Sequence, residues 1–82
     1  MIVTLFERPG CHLCREAREA ILAIAAETGA ELELRQVDIE SDDGLLRAYL
    51  ERIPVIEVEG REVSVLVPDR DALRRALHTV AR

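Results

Sequence analysis

Two cysteines separated by two residues, Cys11-His12-Leu13-Cys14, are the part of this sequence equipped for covalent chemistry. A thiolate is a nucleophile, and a second thiol at this spacing lies within bonding reach of the first, so the pair can cycle between dithiol and disulfide. The motif follows an apolar run and opens a helical pattern. A helix N-terminus carries partial positive charge and unpaired N–H groups, and both favour the thiolate. Arg8 and His12 are close in sequence and are candidate sources of further positive charge. On this reading Cys11, nearer the helix end, attacks a substrate disulfide. Cys14, one turn deeper, resolves the mixed disulfide and leaves an internal one.

The same pair has an alternative reading as a soft-metal or iron–sulfur site. A closed tetrahedral zinc site needs four ligands. The only other Cys or His residues are His12, between the cysteines, and His78, near the far end of the chain. One chain therefore offers no convincing four-ligand set, and no metal ligands are assigned. A two-cysteine Cu(I) site, or a cluster shared between two chains, remains as the alternative to disulfide exchange.

The elements around the motif must place it. Met1 to Phe6 reads as a strand, apolar enough to be covered on both faces, and Glu7-Arg8-Pro9-Gly10 as a turn. A helix is expected from Cys11 to Thr28, with Leu13, Ala17, Ala20, Ile21 and Ile24 as its buried stripe and Gly29 as its stop. Glu31 to Leu34 alternates as a strand whose phase slips before Val37 and Ile39, which suggests an edge strand with a bend or bulge. Ser41-Asp42-Asp43 begins a second helix, with Leu45, Leu46, Tyr49 and Leu50 facing inward and Pro54 ending the segment. Val55–Val58 and Val63–Val67 are expected strands joined by a tight turn at Glu59-Gly60-Arg61. Asp69 caps a last helix with Leu73, Ala76, Leu77 and Val80 on its inner face. The order β-α-β-α-β-β-α predicts an α/β fold: a four-stranded mixed sheet with helices on both faces, in one domain over residues 1–82.

Composition narrows the function classes. The 82 residues carry a net charge of −5, and all 11 basic residues are Arg. With no basic stripe to displace phosphate counterions, no nucleic-acid partner is expected, and no membrane partner either. The first six residues, apolar except for Thr4, run into Glu7, without a positively charged start or a small-residue cleavage site. A cytoplasmic, reducing location is therefore expected, where two cysteines serve redox chemistry better than structural stapling. A monomer is expected. Tyr49, His78 and the acids from Glu40 to Asp43 read as core, helix-end and helix-start residues, not as site residues.

With these pieces in order, the chain resembles the glutaredoxin and thioredoxin families, most nearly the small glutaredoxin-like proteins. The resemblance is carried by Thr4-Leu5-Phe6-Glu7-Arg8-Pro9-Gly10-Cys11-His12-Leu13-Cys14, then Val37-Asp38-Ile39, Arg52-Ile53-Pro54-Val55-Ile56 and Val58-Glu59-Gly60. It implies a thioredoxin-like fold and thiol–disulfide oxidoreductase activity with no required cofactor. It further implies that Pro54 is the cis-proline facing the active cysteine and that the Ile53 backbone pairs with substrate. Arg8 stands at the family's basic position before the first cysteine. The implied partners are a disulfide-bearing protein or small molecule, and glutathione or a thioredoxin-reductase-like protein as reductant.

The sequence also departs from those families. Gly10 stands where thioredoxins have Trp, and Leu5 where they have a buried acid. His12 and Leu13 replace the Pro and Tyr of glutaredoxins. Ser64 and Val65 replace the Gly-Gly pair that helps hold glutathione, and Val67 and Pro68 replace the acids after it.

Overall fold

The computed structural model describes residues 1–80, and side-chain surroundings through residue 78. The elements run β1 (Ile2–Glu7), α1 (His12–Thr28), β2 (Glu33–Asp38), a 3-10 turn (Ile39–Ser41), α2 (Asp43–Tyr49), β3 (Val55–Val58), β4 (Arg61–Val65) and α3 (Arg70–Val80). The four strands form one sheet in the order β2-β1-β3-β4. The β1 and β2 strands pair parallel, from Ile2 opposite Glu33 to Glu7 opposite Asp38. The β1–β3 and β3–β4 pairs are antiparallel. The expected α/β order and mixed sheet are what forms.

Strand alternation explains the two faces. Val3 and Leu5 point to one face and are fully buried among Ala17, Ala20, Ile21 and Ile24 of α1 and Leu73 and Leu77 of α3. Full burial of side chains as large as Leu5 or Ile21 contributes about 1.5–3 kcal/mol each. Phe6, on the opposite face, stacks on Tyr49 of α2 with ring centroids 4.3 Å apart. One face thus carries α1 and α3 and the other carries α2. The face under α2 is only partly covered, and Ile2, Thr4 and Phe6 stay half-exposed.

The helix boundaries follow from local chemistry. Gly29 takes the left-handed conformation (φ 73°) that ends α1, and its N–H reaches the Ala25 carbonyl. Asp42 caps α2 by accepting from the Leu45 N–H at 3.0 Å, and Asp69 caps α3 by accepting from the Ala72 N–H at 3.0 Å.

Several expectations are corrected. The α1 stripe is led by Cys14, which is buried, while Leu13 is only partly so; spacing 14, 17, 21, 24 is the better helical match. The irregularity assigned to β2 lies elsewhere. The β2 strand pairs without a break because Ile39 has already left it for the 3-10 turn. The bulge falls in the β3–β4 pair, where Ile56 faces Ser64 but Glu57 faces Glu62, leaving Val63 as the extra residue. The hairpin turn is two residues, Glu59 and Gly60, both at positive φ, so β4 starts and ends two residues early. Leu66 and Val67 therefore lie beyond the strand, 45% and 70% exposed. Leu50 is exposed too, although it keeps helical backbone angles as the C-cap of α2 and its N–H bonds the Leu46 carbonyl; it lies on the uncovered side of the helix end. Val80 as an inner-face residue of α3 lies outside the described side chains.

Candidate active site at the Cys11–Cys14 disulfide

The turn from β1 into α1 sets the first cysteine. Gly10 takes φ 76°, a conformation costly for a residue with a Cβ, and the Cys11 N–H closes the turn onto the Arg8 carbonyl at 3.4 Å. Cys11 is then extended (φ −84°, ψ 112°) and is the N-cap of α1. Its Sγ accepts the Cys14 N–H at 3.1 Å, and its carbonyl accepts the Arg15 N–H at 3.2 Å. A sulfur thus fills the place a Ser or Asp oxygen commonly fills, facing an otherwise unpaired helix donor. The two cysteines are joined in a disulfide, with Cα atoms 5.2 Å apart.

The two sulfurs do not have equal surroundings. Cys14 is 1% exposed and packs with Ile39 and Ile53. Cys11 lies at the margin of that cluster, partly open, together with Phe6, Leu45, Leu46 and Tyr49. One sulfur can meet a substrate and the other is sealed behind it.

The Ile53-Pro54 peptide bond is cis, and both residues are buried. Ile53 belongs to the cysteine cluster, so residues about 40 positions apart in the chain meet here. The Ile53 N–H is bonded to the Tyr49 carbonyl at 3.1 Å. The loop is clasped from the other side by the Leu66 N–H, which reaches the carbonyls of Arg52 (3.1 Å) and Pro54 (3.0 Å).

Arg8 and His12 behave differently from these. The Arg8 guanidinium is held by Glu40, Nη2 to Oε2 at 2.8 Å. Glu40 is itself presented by the 3-10 turn, where Asp38 Oδ1 accepts its N–H at 2.8 Å and the Ser41 hydroxyl donates to the Asp38 carbonyl at 2.6 Å. His12 is exposed at the first position of α1.

Sequence reasoning missed two neighbours, Glu40 and Arg52. Glu40 read as a helix-start acid, and only the fold brings it to Arg8. Tyr49 packs against the cysteine cluster, as its reading as core implies, and it also stacks on Phe6 and carries Arg52, whose Cζ lies 5.6 Å from the Tyr49 ring centre. Arg52 is in turn paired with Glu62 at 2.5 Å. One signal was available: Phe6 and Tyr49 are the only aromatic residues in the chain, and both flank segments of the motif. Among the described residues no group of three or more His, Cys, Asp or Glu gathers as a metal site. No helix among them is long and apolar enough to cross a membrane.

Comparison with known proteins places this geometry. A family model described as glutaredoxin-like domain (DUF836) matches residues 2–78. Uncharacterized proteins of Mycobacterium bovis and Mycobacterium tuberculosis are 31% identical over 75 residues, covering 88% of this chain and 77% of theirs. Among solved structures, a structural-genomics target from X. campestris is 36% identical with a TM-score of 0.72, covering 94% of this chain and 96% of that one. Protein Ne2328 from Nitrosomonas europaea is 27% identical with a TM-score of 0.77, covering 92% and 88%. A thioredoxin from Halobacterium salinarum, at 20% identity and a TM-score of 0.63 over 99% of this chain and 74% of its own, shares the fold. A cysteine pair at the head of the first helix, a cis Ile53-Pro54 bond whose Ile53 packs with Cys14, and a match running from β1 to α3 agree with one another: the chain belongs to the glutaredoxin-like (DUF836) family, with a thioredoxin-like fold, and its function is of redox type.

Proposed function

We propose that the protein is a thiol–disulfide oxidoreductase in which Cys11 attacks and Cys14 resolves. The observation that carries this reading is the asymmetry of the pair: Cys11 is partly open and faces the Cys14 N–H at 3.1 Å, while Cys14 is 1% exposed behind it. In the reduced protein that N–H stabilises a Cys11 thiolate by a charge-assisted hydrogen bond, together with the α1 dipole.

The thiolate attacks one sulfur of a substrate disulfide, forming a Cys11–substrate bond as the substrate's own S–S bond breaks and its other sulfur departs. Cys14 then attacks the Cys11 sulfur, its proton passing to the leaving thiolate. The substrate leaves with two electrons gained and the protein keeps the Cys11–Cys14 disulfide. Glutathione or a thioredoxin-reductase-like protein restores the dithiol. Ile53 and Pro54 bound the substrate approach, with the Ile53 carbonyl as the group for strand-like pairing, since its N–H is engaged by Tyr49. His12 and the Arg8–Glu40 pair border the entrance. The protein works as a monomer in the cytoplasm.

The test is direct. Cys11→Ser abolishes disulfide exchange, and Cys14→Ser accumulates a mixed disulfide detectable by mass spectrometry. Turnover by Cys11→Ser would remove Cys11 as nucleophile. Titration of metal-free protein in glutathione redox buffers, with free thiols counted, gives a reversible two-electron transition. Its midpoint, within a span of about −270 to −120 mV for related folds, decides whether the protein reduces or oxidises its partners.

A further inference from the structure

Cys14 must lose a proton before it can attack Cys11, and among the described residues no buried base stands ready to take it. Ser64 is the only buried polar or charged side chain among them, and its oxygen is taken by the Asp69 N–H at 2.9 Å. Cys14 is 1% exposed and packs with Ile39 of the 3-10 turn, Ile53 of the cis-proline loop, Phe6 of β1, and Leu45, Leu46 and Tyr49 of α2. Of the side chains in this cluster, only Cys11 and Tyr49 titrate besides Cys14. The charged groups carried by the same elements lie at exposed or half-exposed positions: Glu7 bonds Gln36, Arg8 pairs with Glu40, Arg52 pairs with Glu62, and His12 is exposed on α1. A thiol sealed among apolar groups keeps its proton, because burial disfavours the thiolate.

The cover over Cys14 is the least anchored helix of the fold. Helix α1 buries five residues and α3 is held through Leu73 and Leu77, whereas α2 buries none. It is seven residues long with Gly44 at its second position, well short of the length at which a helix persists by itself. Its hold-downs are the stack of Tyr49 on Phe6, with ring centroids 4.3 Å apart, and the Asp42 cap on the Leu45 N–H at 3.0 Å. Elements that bury little open locally at a fraction of the free energy of global unfolding. Both cysteines sit at the start of α1, with Cα atoms 5.2 Å apart, so an excursion of α2 leaves their spacing intact.

We propose that α2 is a lid whose undocking admits water to Cys14, so that the resolving step is gated by α2 and Tyr49 sets its rate through the stack on Phe6. This rests on the oxidoreductase reading above, which it deepens by assigning control of the second step. With the lid open the Cys14 proton passes to water, and the thiolate bonds to the Cys11 sulfur as the Cys11–substrate bond breaks. The water carries the proton to the departing thiolate, or keeps it where that thiolate is a weak base. The substrate gains two electrons and the protein keeps the internal disulfide.

The prereduced full chain is mixed with dithiobis(nitrobenzoate) over a range of concentrations. This disulfide releases one coloured thiolate when Cys11 attacks and a second when Cys14 resolves. The first phase quickens with reagent concentration and the second, being intramolecular, does not. Tyr49→Leu raises the second rate about fivefold, the scale of losing one aromatic pair, and leaves the first within about twofold. Asp42→Ala removes the α2 cap without touching the stack or the cysteines, acts in the same direction, and decides the matter should Tyr49→Leu fail to fold. In the wild-type chain the Leu46 and Leu50 N–H groups, which bond within α2, exchange with solvent faster than the amides of α1 beside Ile21 and Ile24. The proposal is overturned if the folded variants leave the second rate unmoved, if both rates rise together, or if the α2 amides exchange only by global unfolding. A wild-type chain that releases no coloured thiolate at all would overturn the oxidoreductase reading itself, an outcome distinct from a lid that does not open.

Discussion

The large cluster under α1 and α3 and the small one around the cysteines are built from different materials. The first is aliphatic and closed: Val3, Leu5, Ile21, Ile56, Leu73 and Leu77 are all at 0% exposure. The second has three buried members, Cys14, Ile39 and Ile53, and its partly open margin holds both aromatic residues and the other cysteine. Helix α1 runs through both, with its first turn in the small cluster and its remaining turns in the large one. The difference teaches how an 82-residue chain can hold a partly open cysteine pair in place. A small domain has little core to spare, so burial is concentrated under α1 and α3, and the cysteine end is anchored by the same helix with Cys11 left partly open.

This division can be broken or sharpened by substitution. The largest effect is expected from Ile21→Ala, which removes a fully buried side chain from the large cluster and costs about 2–5 kcal/mol in denaturant unfolding. Disulfide exchange by the remaining folded protein should stay within about twofold of the wild type. A parallel loss of exchange would show that the clusters are a single unit and break the comparison. Tyr49→Leu acts on the small cluster. It removes the stack on Phe6, worth about 0.5–1.5 kcal/mol beyond area burial. Opening that margin should speed alkylation of Cys14 in the reduced protein, read by mass spectrometry; an unchanged alkylation rate would show that Tyr49 does not shield the site. Glu62→Gln is the mildest. It breaks a pair whose side chains are each about two-fifths exposed, so unfolding stability should change by less than about 0.5 kcal/mol. A larger loss would mean that Arg52 anchors the cis-proline loop through Glu62.

Legibility in the sequence followed the range of the interactions. The α1 start at Cys11, the Gly29 stop and the Asp69 cap are set within a few residues, and they were readable. The Asp42 cap was readable as part of an acidic helix start. The Val63 bulge was not, because nothing in Val63-Ser64-Val65 marks which strand carries the extra residue; pairing with β3 decides it. Leu50, Leu66 and Val67 were read as inward or strand residues on apolarity alone, and apolarity does not say whether a neighbour exists to cover them. From the residues alone Pro54 reads as a stop before a strand, and its cis form is implied only by the resemblance.

By itself the sequence determined the order of elements, the helix ends and the position of a Cys-x-x-Cys pair at a helix start, because hydrophobic period, capping and turn chemistry act over a handful of residues. Tertiary structure alone decided that Cys14 is sealed by Ile39 and Ile53, that Arg8 is engaged by Glu40, and that Leu66 stands exposed beside Pro54. These depend on which strands lie side by side and which face each helix covers. That choice is made by the burial of the whole apolar surface, and no short stretch of sequence contains it.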